Sequence, residues 1–201
     1  MKKEIKVGNI LIGDDRPALI VAEISCNHLQ DKGTALKLIE EAKRVGADAV
    51  KFQAYTPDTL TLNPENMAPK EREHFTIKGS IWEGRSFYDL YQEAYTPWEW
   101  FEELKTKADE LGLFFFVTPF DESSVDFLEK LGVDVYKIAS FEINHIPLLE
   151  KVAKTKKPVI FSTGVAGIED IELAIKTLKD NGSDDIIILK CTSSYPAPIE
   201  E

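Results

Sequence analysis

The sequence predicts an α/β fold built on a parallel sheet, and three observations carry that prediction. Short β-branched apolar runs recur along the chain, each followed by a polar loop and an amphipathic stretch. The runs are near-continuous rather than alternating, which is how strands read when both faces are buried. Equivalent positions are a whole βα unit apart, 25 residues from Lys137 to Ser162 and 28 from Ser162 to Lys190. Repeated βα units imply parallel strands joined by right-handed crossovers.

In chain order, residues 4–12 predict a small hairpin with Gly8-Asn9 at its turn, so residues 1–15 form an N-terminal hairpin. Strands follow at 18–25, 49–54, 113–118, 135–139, 159–162 and 186–191. Between them, residues 34–45 place Leu38, Ala42 and Val45 on one helical stripe, with Gly46 as a stop. Ile168, Ile171, Ile175 and Leu178 repeat at helical spacing before Asn181-Gly182. Residues 99–110, 123–131 and 146–154 behave similarly. Residues 55–98 break the rhythm as a long insertion carrying Trp82, Tyr88, Tyr91, Tyr95 and Trp98. A segment of that length is either a functional lid or a helical excursion that only packs.

Composition bounds the function. The chain has 201 residues, 43% hydrophobic and 29% charged, with no linker-like shift in composition, so one domain is expected. Its 24 basic and 35 acidic residues give a formal charge of −11. Such a balance argues against nucleic-acid or anionic-membrane binding, which need a basic face. No apolar run approaches the roughly 20 residues of a membrane span, and Met1-Lys2-Lys3-Glu4 does not open a signal peptide. Cys26 and Cys191 are too few for a disulfide framework, so a cytoplasmic protein with free thiols is expected.

The residues that end each run are the informative ones. Glu23 closes the first, Lys51 and Gln53 the second, Thr118 the third, and Lys137 leads to Ser140 and Glu142 at the fourth. Ser162 with Gly164 closes the fifth, and Lys190 leads to Ser193 and Tyr195 at the sixth. Carboxyl ends of parallel strands converge on one rim, where (β/α) barrels keep their active sites. Lysines within strands are costly unless paired or bound to an anion. Lys51, Lys137 and Lys190 therefore point to an anionic ligand, or to Glu23 and Glu142 as partners. Thr118, Ser140 and Ser162 are small donors suited to phosphate oxygens. His28 has no second ligand at metal-binding spacing, His74 and His145 are isolated, and Cys191 reads as a packed thiol.

Taken together, Ala22-Glu23-Ile24-Ser25, Asn27-His28, Asp48-Ala49-Val50-Lys51-Phe52-Gln53, Thr118-Pro119-Phe120-Asp121, Tyr136-Lys137-Ile138-Ala139-Ser140, Ser162-Thr163-Gly164 and Cys191-Thr192 resemble the sialic acid synthase family. These synthases condense phosphoenolpyruvate with an amino sugar. Tyr55-Thr56-Pro57-Asp58-Thr59, Trp82-Glu83-Gly84, residues 93–100 and residues 193–198 most resemble its pseudaminic acid branch. The neighbouring branches make N-acetylneuraminate or legionaminate.

The resemblance implies a TIM-type (β/α) barrel of which residues 1–201 supply six of the eight βα units. Two further units bearing histidine metal ligands, and a small antifreeze-like domain, would lie outside this chain. It implies that Lys51, Thr118, Lys137, Ser140 and Ser162 hold phosphoenolpyruvate, with Ser193 as a further contact. Glu23 and Glu142 would handle protons or position sugar and water, while Gln53 and Tyr195 line the sugar pocket. It also implies a divalent metal, manganese or magnesium, and a homodimer for the full-length enzyme. Two other readings of the same residues remain. One is a Schiff-base aldolase with Lys137 as nucleophile, and the other is a catalytically silent chain that only binds ligand or other chains.

Overall fold

A computed structural model describes residues 4–79 and 82–193. It divides into two compact units, Val21–Phe115 and a second comprising Met1–Ile20 with Phe116–Glu201. The main sheet has six strands in the order β3-β4-β5-β6-β7-β8, and each registered neighbour pair runs parallel.

The second unit opens with the expected hairpin. β1 (Glu4–Val7) and β2 (Ile10–Gly13) pair antiparallel around Gly8-Asn9, with Gly8 at φ +58.

In the unit of residues 21–115, β3 spans Val21–Ser25 and α1 spans Lys32–Arg44. Asp31 caps α1 by accepting from the Thr34 amide at 2.5 Å, and Lys43 and Arg44 complement the helix dipole at its end. Its buried stripe is Ala35, Ile39 and Ala42. The stripe expected through Leu38, Ala42 and Val45 is therefore out of phase. Val45 is the C-cap and is 69% exposed, lying off the buried face.

β4 (Ala49–Ala54) matches the expected strand. Its alternation buries Phe52 while Lys51 and Gln53 stay only partly covered on the other face. Phe52 packs against Phe101 and Phe115 at centroid distances of 6.4 and 5.5 Å, and those two rings meet at 6.5 Å. The insertion is a chain of short helices, including α2 (Pro57–Leu60), α3 (Pro69–Arg72) and α4 (Phe87–Ala94). Tyr91 stacks on Phe87 and meets Tyr55 edge-on, and the Trp98 indole donates to the Tyr55 carbonyl. These contacts describe a helical excursion anchored on its own aromatic residues. α5 (Phe101–Glu110) then leads into β5 (Phe114–Pro119).

From Phe116 onward the second unit continues with α6 (Glu122–Leu131), β6 (Tyr136–Ile138), α7 (Ile146–Ala153), β7 (Val159–Ser162), α8 (Ile168–Asp180) and β8 (Ile186–Leu189). Asp121 caps α6 through the Ser123 and Ser124 amides, and Gly132 ends it in the left-handed conformation. β6 and β7 are buried throughout, as continuous apolar runs require. On α8 the buried residues are Ala174, Thr177 and Leu178, while Ile171 and Ile175 are half-buried and Ile168 is exposed.

Three strands are shorter than expected, for one reason, with β6 paired to β7 only over Tyr136–Ile138. β3 begins at Val21 because its partner β4 begins opposite it at Ala49. β8 ends at Leu189 because β7 ends opposite it at Ser162. Apolar residues beyond the paired register stay outside the strand.

The aromatic triad is the core support of β4. Phe52→Ala should lower unfolding free energy by about 3–5 kcal/mol, read from a urea midpoint. The exposed Leu62→Ala should stay within about 0.5 kcal/mol of the parent.

Candidate active site

The expected residues assemble into two clusters, one in each unit. In residues 21–115, register places Glu23 opposite Lys51 across the β3–β4 pair. The Lys51 ammonium meets Glu23 Oε2 at 2.5 Å, with the lysine side chain only 11% exposed. The carboxylate partner foreseen for this lysine is thus present. A bulge between Glu23 and Ser25 turns Ser25 so that its hydroxyl donates to Glu23 Oε1 at 2.8 Å. The Cys26 thiol donates to Gln53 Oε1 at 3.7 Å. Burial pushes that thiol above its ordinary range, the Tyr55 hydroxyl beside it opposing in part. Burial likewise keeps Tyr55 a neutral phenol.

In the other unit, Lys137 is 7% exposed and is the middle residue of β6. Its ammonium donates to the Ser162 hydroxyl and, at 2.8 Å, to the Ile138 carbonyl. Val117 pairs with Tyr136, which sets the buried Thr118 alongside Lys137 in register. The Gly164 amide donates to Ser140 Oγ at 3.1 Å. A side chain at position 164 would overlap Ser193 Oγ and meet Ser140 Oγ at 3.1 Å and Cys191 Cβ at 3.2 Å. Only glycine lets these three residues close up at the ends of β6, β7 and β8.

Glu142 sits in the short 3-10 turn of Ser140–Glu142, with Oε2 buried and without a hydrogen-bond partner among the described residues. Burial raises its carboxyl above the ordinary carboxylate range, and the Lys137 charge offsets only part of the rise. Glu23, by contrast, makes a direct ion pair with Lys51.

Some expectations change. Lys190 lies past the last paired residue of β8, exposed, with its ammonium on the Thr192 hydroxyl, so it is not an inward strand lysine. Tyr195 lies outside the described residues. Ser25 and Gly164 are site residues that sequence reasoning left out of its candidates. Neither the left-handed turn at Ser25 nor the crowding at Gly164 has a signature in residue order.

His28 is fully buried, with one ring nitrogen 2.9 Å from Thr96 Oγ1. Among the described residues no three His, Cys, Asp or Glu side chains converge to hold a metal ion. No helix among them is long and apolar enough to cross a membrane.

Comparison with known proteins gives these clusters a context. A family model described as the NeuB family matches residues 38–201. Pseudaminic acid synthase of Campylobacter jejuni is 42% identical over 197 residues, covering 98% of this chain and 55% of that protein. N,N'-diacetyllegionaminic acid synthase of Legionella pneumophila is 37% identical over 193 residues, covering 94% of this chain and 52% of that protein. The chain spans about half the length of the curated relatives it matches. The crystal structure of N-acetylneuraminic acid synthetase from Leptospira borgpetersenii, in complex with citrate, superposes with a TM-score of 0.79 at 34% identity, covering 98% of this chain and 62% of that one. That likeness, the parallel sheet and the hairpin bear out the TIM-type barrel expected from the sequence. The chain belongs to the NeuB family, the sialic acid synthases whose motifs its strand ends resemble.

Proposed function

We propose that this chain carries the phosphoenolpyruvate-binding part of a synthase that joins phosphoenolpyruvate to an amino-sugar aldehyde. The observation that carries the reading is the buried Lys137 ammonium set among hydroxyls. Ser162 accepts from it, Thr118 lies beside it in register, and Ser140 and Ser193 close around Gly164 at the neighbouring strand ends. A desolvated cation with small donors at hand suits an anion of several oxygens.

In the proposed reaction, C3 of phosphoenolpyruvate forms a bond to the aldehyde carbon of the sugar. Water then adds to the cationic C2, and the tetrahedral intermediate expels phosphate by breaking the C–O bond. Lys137, Ser140, Ser162, Thr118 and Ser193 hold the phosphorylated acid, and Lys51 serves the same reaction. Glu142, favoured by burial as the neutral acid, gives its proton to the alkoxide formed from the aldehyde. Glu23 takes the proton of the attacking water, while Gln53 and Tyr195 contact the sugar. A divalent metal belongs to this reading, but the described residues supply no site for it and no step is assigned to it here. A cytoplasmic homodimer is the proposed working form. An altrose-type diacetamido sugar, giving pseudaminic acid, is supported by 42% identity to the Campylobacter synthase against 37% to the legionaminic enzyme.

Calorimetric titration tests the clamp. Phosphoenolpyruvate should bind this chain, and Lys137→Met should weaken binding roughly 10- to 150-fold, the range for losing a hydrogen bond to a charged group. Lys190→Met should bind like the parent, and equal affinity for Lys137→Met would refute the clamp. Borohydride reduction with a keto acid should leave Lys137 unmodified, since the lysine acts as a cation rather than a nucleophile.

Glu142 makes a separate prediction with a definite sign. Its folded pKa lies above the unfolded value, so within that window the native state holds the extra proton. Stability from this group is therefore full below the ordinary glutamate range and is lost as pH rises through the folded pKa. Glu142→Gln should melt higher than the parent near about pH 8, with the gap closing toward about pH 4. Scanning calorimetry across that range decides it, and a gap that widens toward acid would contradict the burial argument.

A further inference from the structure

We infer that the turn from β3 to α1 is a positioning device for Glu23, in which Ser25 orients the carboxylate and His28 latches the turn to Thr96 at the far end of the 55–98 insertion. This rests on the reading that Glu23 acts in the synthase reaction.

The backbone of the turn is strained. Ser25, Leu29 and Gln30 adopt positive φ values of 50, 53 and 57°, a region that disfavours side chains. Such conformations persist only where the surroundings over-determine them, and they gather at functional sites. Packing of Leu29 does not hold the turn, since its side chain is 83% exposed.

His28 supplies the hold. Its Nδ1 accepts the Gln30 amide at 3.2 Å, which leaves Nε2–H to donate to Thr96 Oγ1 at 2.9 Å. The ring is fully buried and stands edge-on to Trp100 at 5.5 Å. Gln30 adds a side-chain bond to the Tyr95 carbonyl, and the Asp31 amide donates to the His28 carbonyl at 2.9 Å. One histidine in one neutral tautomer thus ties the turn to residues 95–100. Burial favours that neutral form, against the nearby charge of Asp31.

What the latch holds is the geometry at Glu23. The left-handed turn at Ser25 folds its hydroxyl back onto Oε1, while Lys51 occupies Oε2. Each carboxylate oxygen has one donor, so the group is aimed as well as charged. Ser25 and His28 are positioning residues, acting through Glu23 and Thr96.

Three measurements on Ser25→Gly and Thr96→Val test the inference. Glycine accepts the left-handed φ, so Ser25→Gly should melt at or above the parent temperature. Its crystal structure should nevertheless show the Glu23 carboxylate displaced, and in the full-length enzyme phosphate release should fall at least tenfold in kcat with KM for phosphoenolpyruvate within twofold. Thr96→Val keeps the shape but removes the acceptor, so hydrogen exchange at the Gln30 and Asp31 amides should accelerate at least tenfold while β7 amides are unchanged. An unmoved Glu23 in Ser25→Gly, or unchanged exchange in Thr96→Val, would overturn the inference whatever the activity. A parent chain that fails to bind phosphoenolpyruvate would instead count against the proposed function, and the structural and exchange results would still decide the latch.

Discussion

A buried ammonium group is an expensive thing to keep, and the chemistry around Lys137 is arranged to keep one. Moving such a charge from water into the interior is costly unless hydrogen bonds and nearby charge replace the lost hydration. Here the Ser162 hydroxyl and the Ile138 carbonyl supply the bonds. The opposite side of β6 is fastened too. Tyr136 points away from Lys137, and its hydroxyl donates to Glu129 at 2.6 Å. Lys157 meets the same carboxylate at 2.5 Å and lies 5.9 Å from the Tyr136 ring centroid. A three-residue strand gripped on both faces can hold a lysine where its ammonium stays in place.

The two glutamates show how environment divides labour between like groups. Glu23 is half-exposed, with donors on both oxygens, and stands as a fixed carboxylate. Glu142 has a buried oxygen without a donor among the described residues, and burial favours its neutral form. The acid and base roles proposed for them rest on that difference in environment, with no difference in residue type.

Much of this was readable in residue order. β4 and β7 fall on the expected residues because both are buried runs with clear polar punctuation. The Glu23–Lys51 pair was foreseeable, since parallel register sets neighbouring strand ends side by side. Lys190 was misread because an apolar run says nothing about where its neighbour strand stops pairing. The α1 stripe was ambiguous because Ala35, Ile39 and Ala42 offer the same helical spacing as Leu38, Ala42 and Val45. Ser25 was invisible as a site residue, its role coming from a backbone angle that serine rarely adopts. Gly164 looked like an ordinary strand-to-helix glycine until three side chains were seen to crowd its α-carbon.

A crystal structure of this chain with phosphoenolpyruvate at saturating concentration tests the central claim most directly. Ligand oxygens should lie within hydrogen-bond reach of Lys137 Nζ and of the Ser140 and Ser162 hydroxyls. A ligand bound elsewhere, with that lysine still donating only to protein atoms, would contradict it.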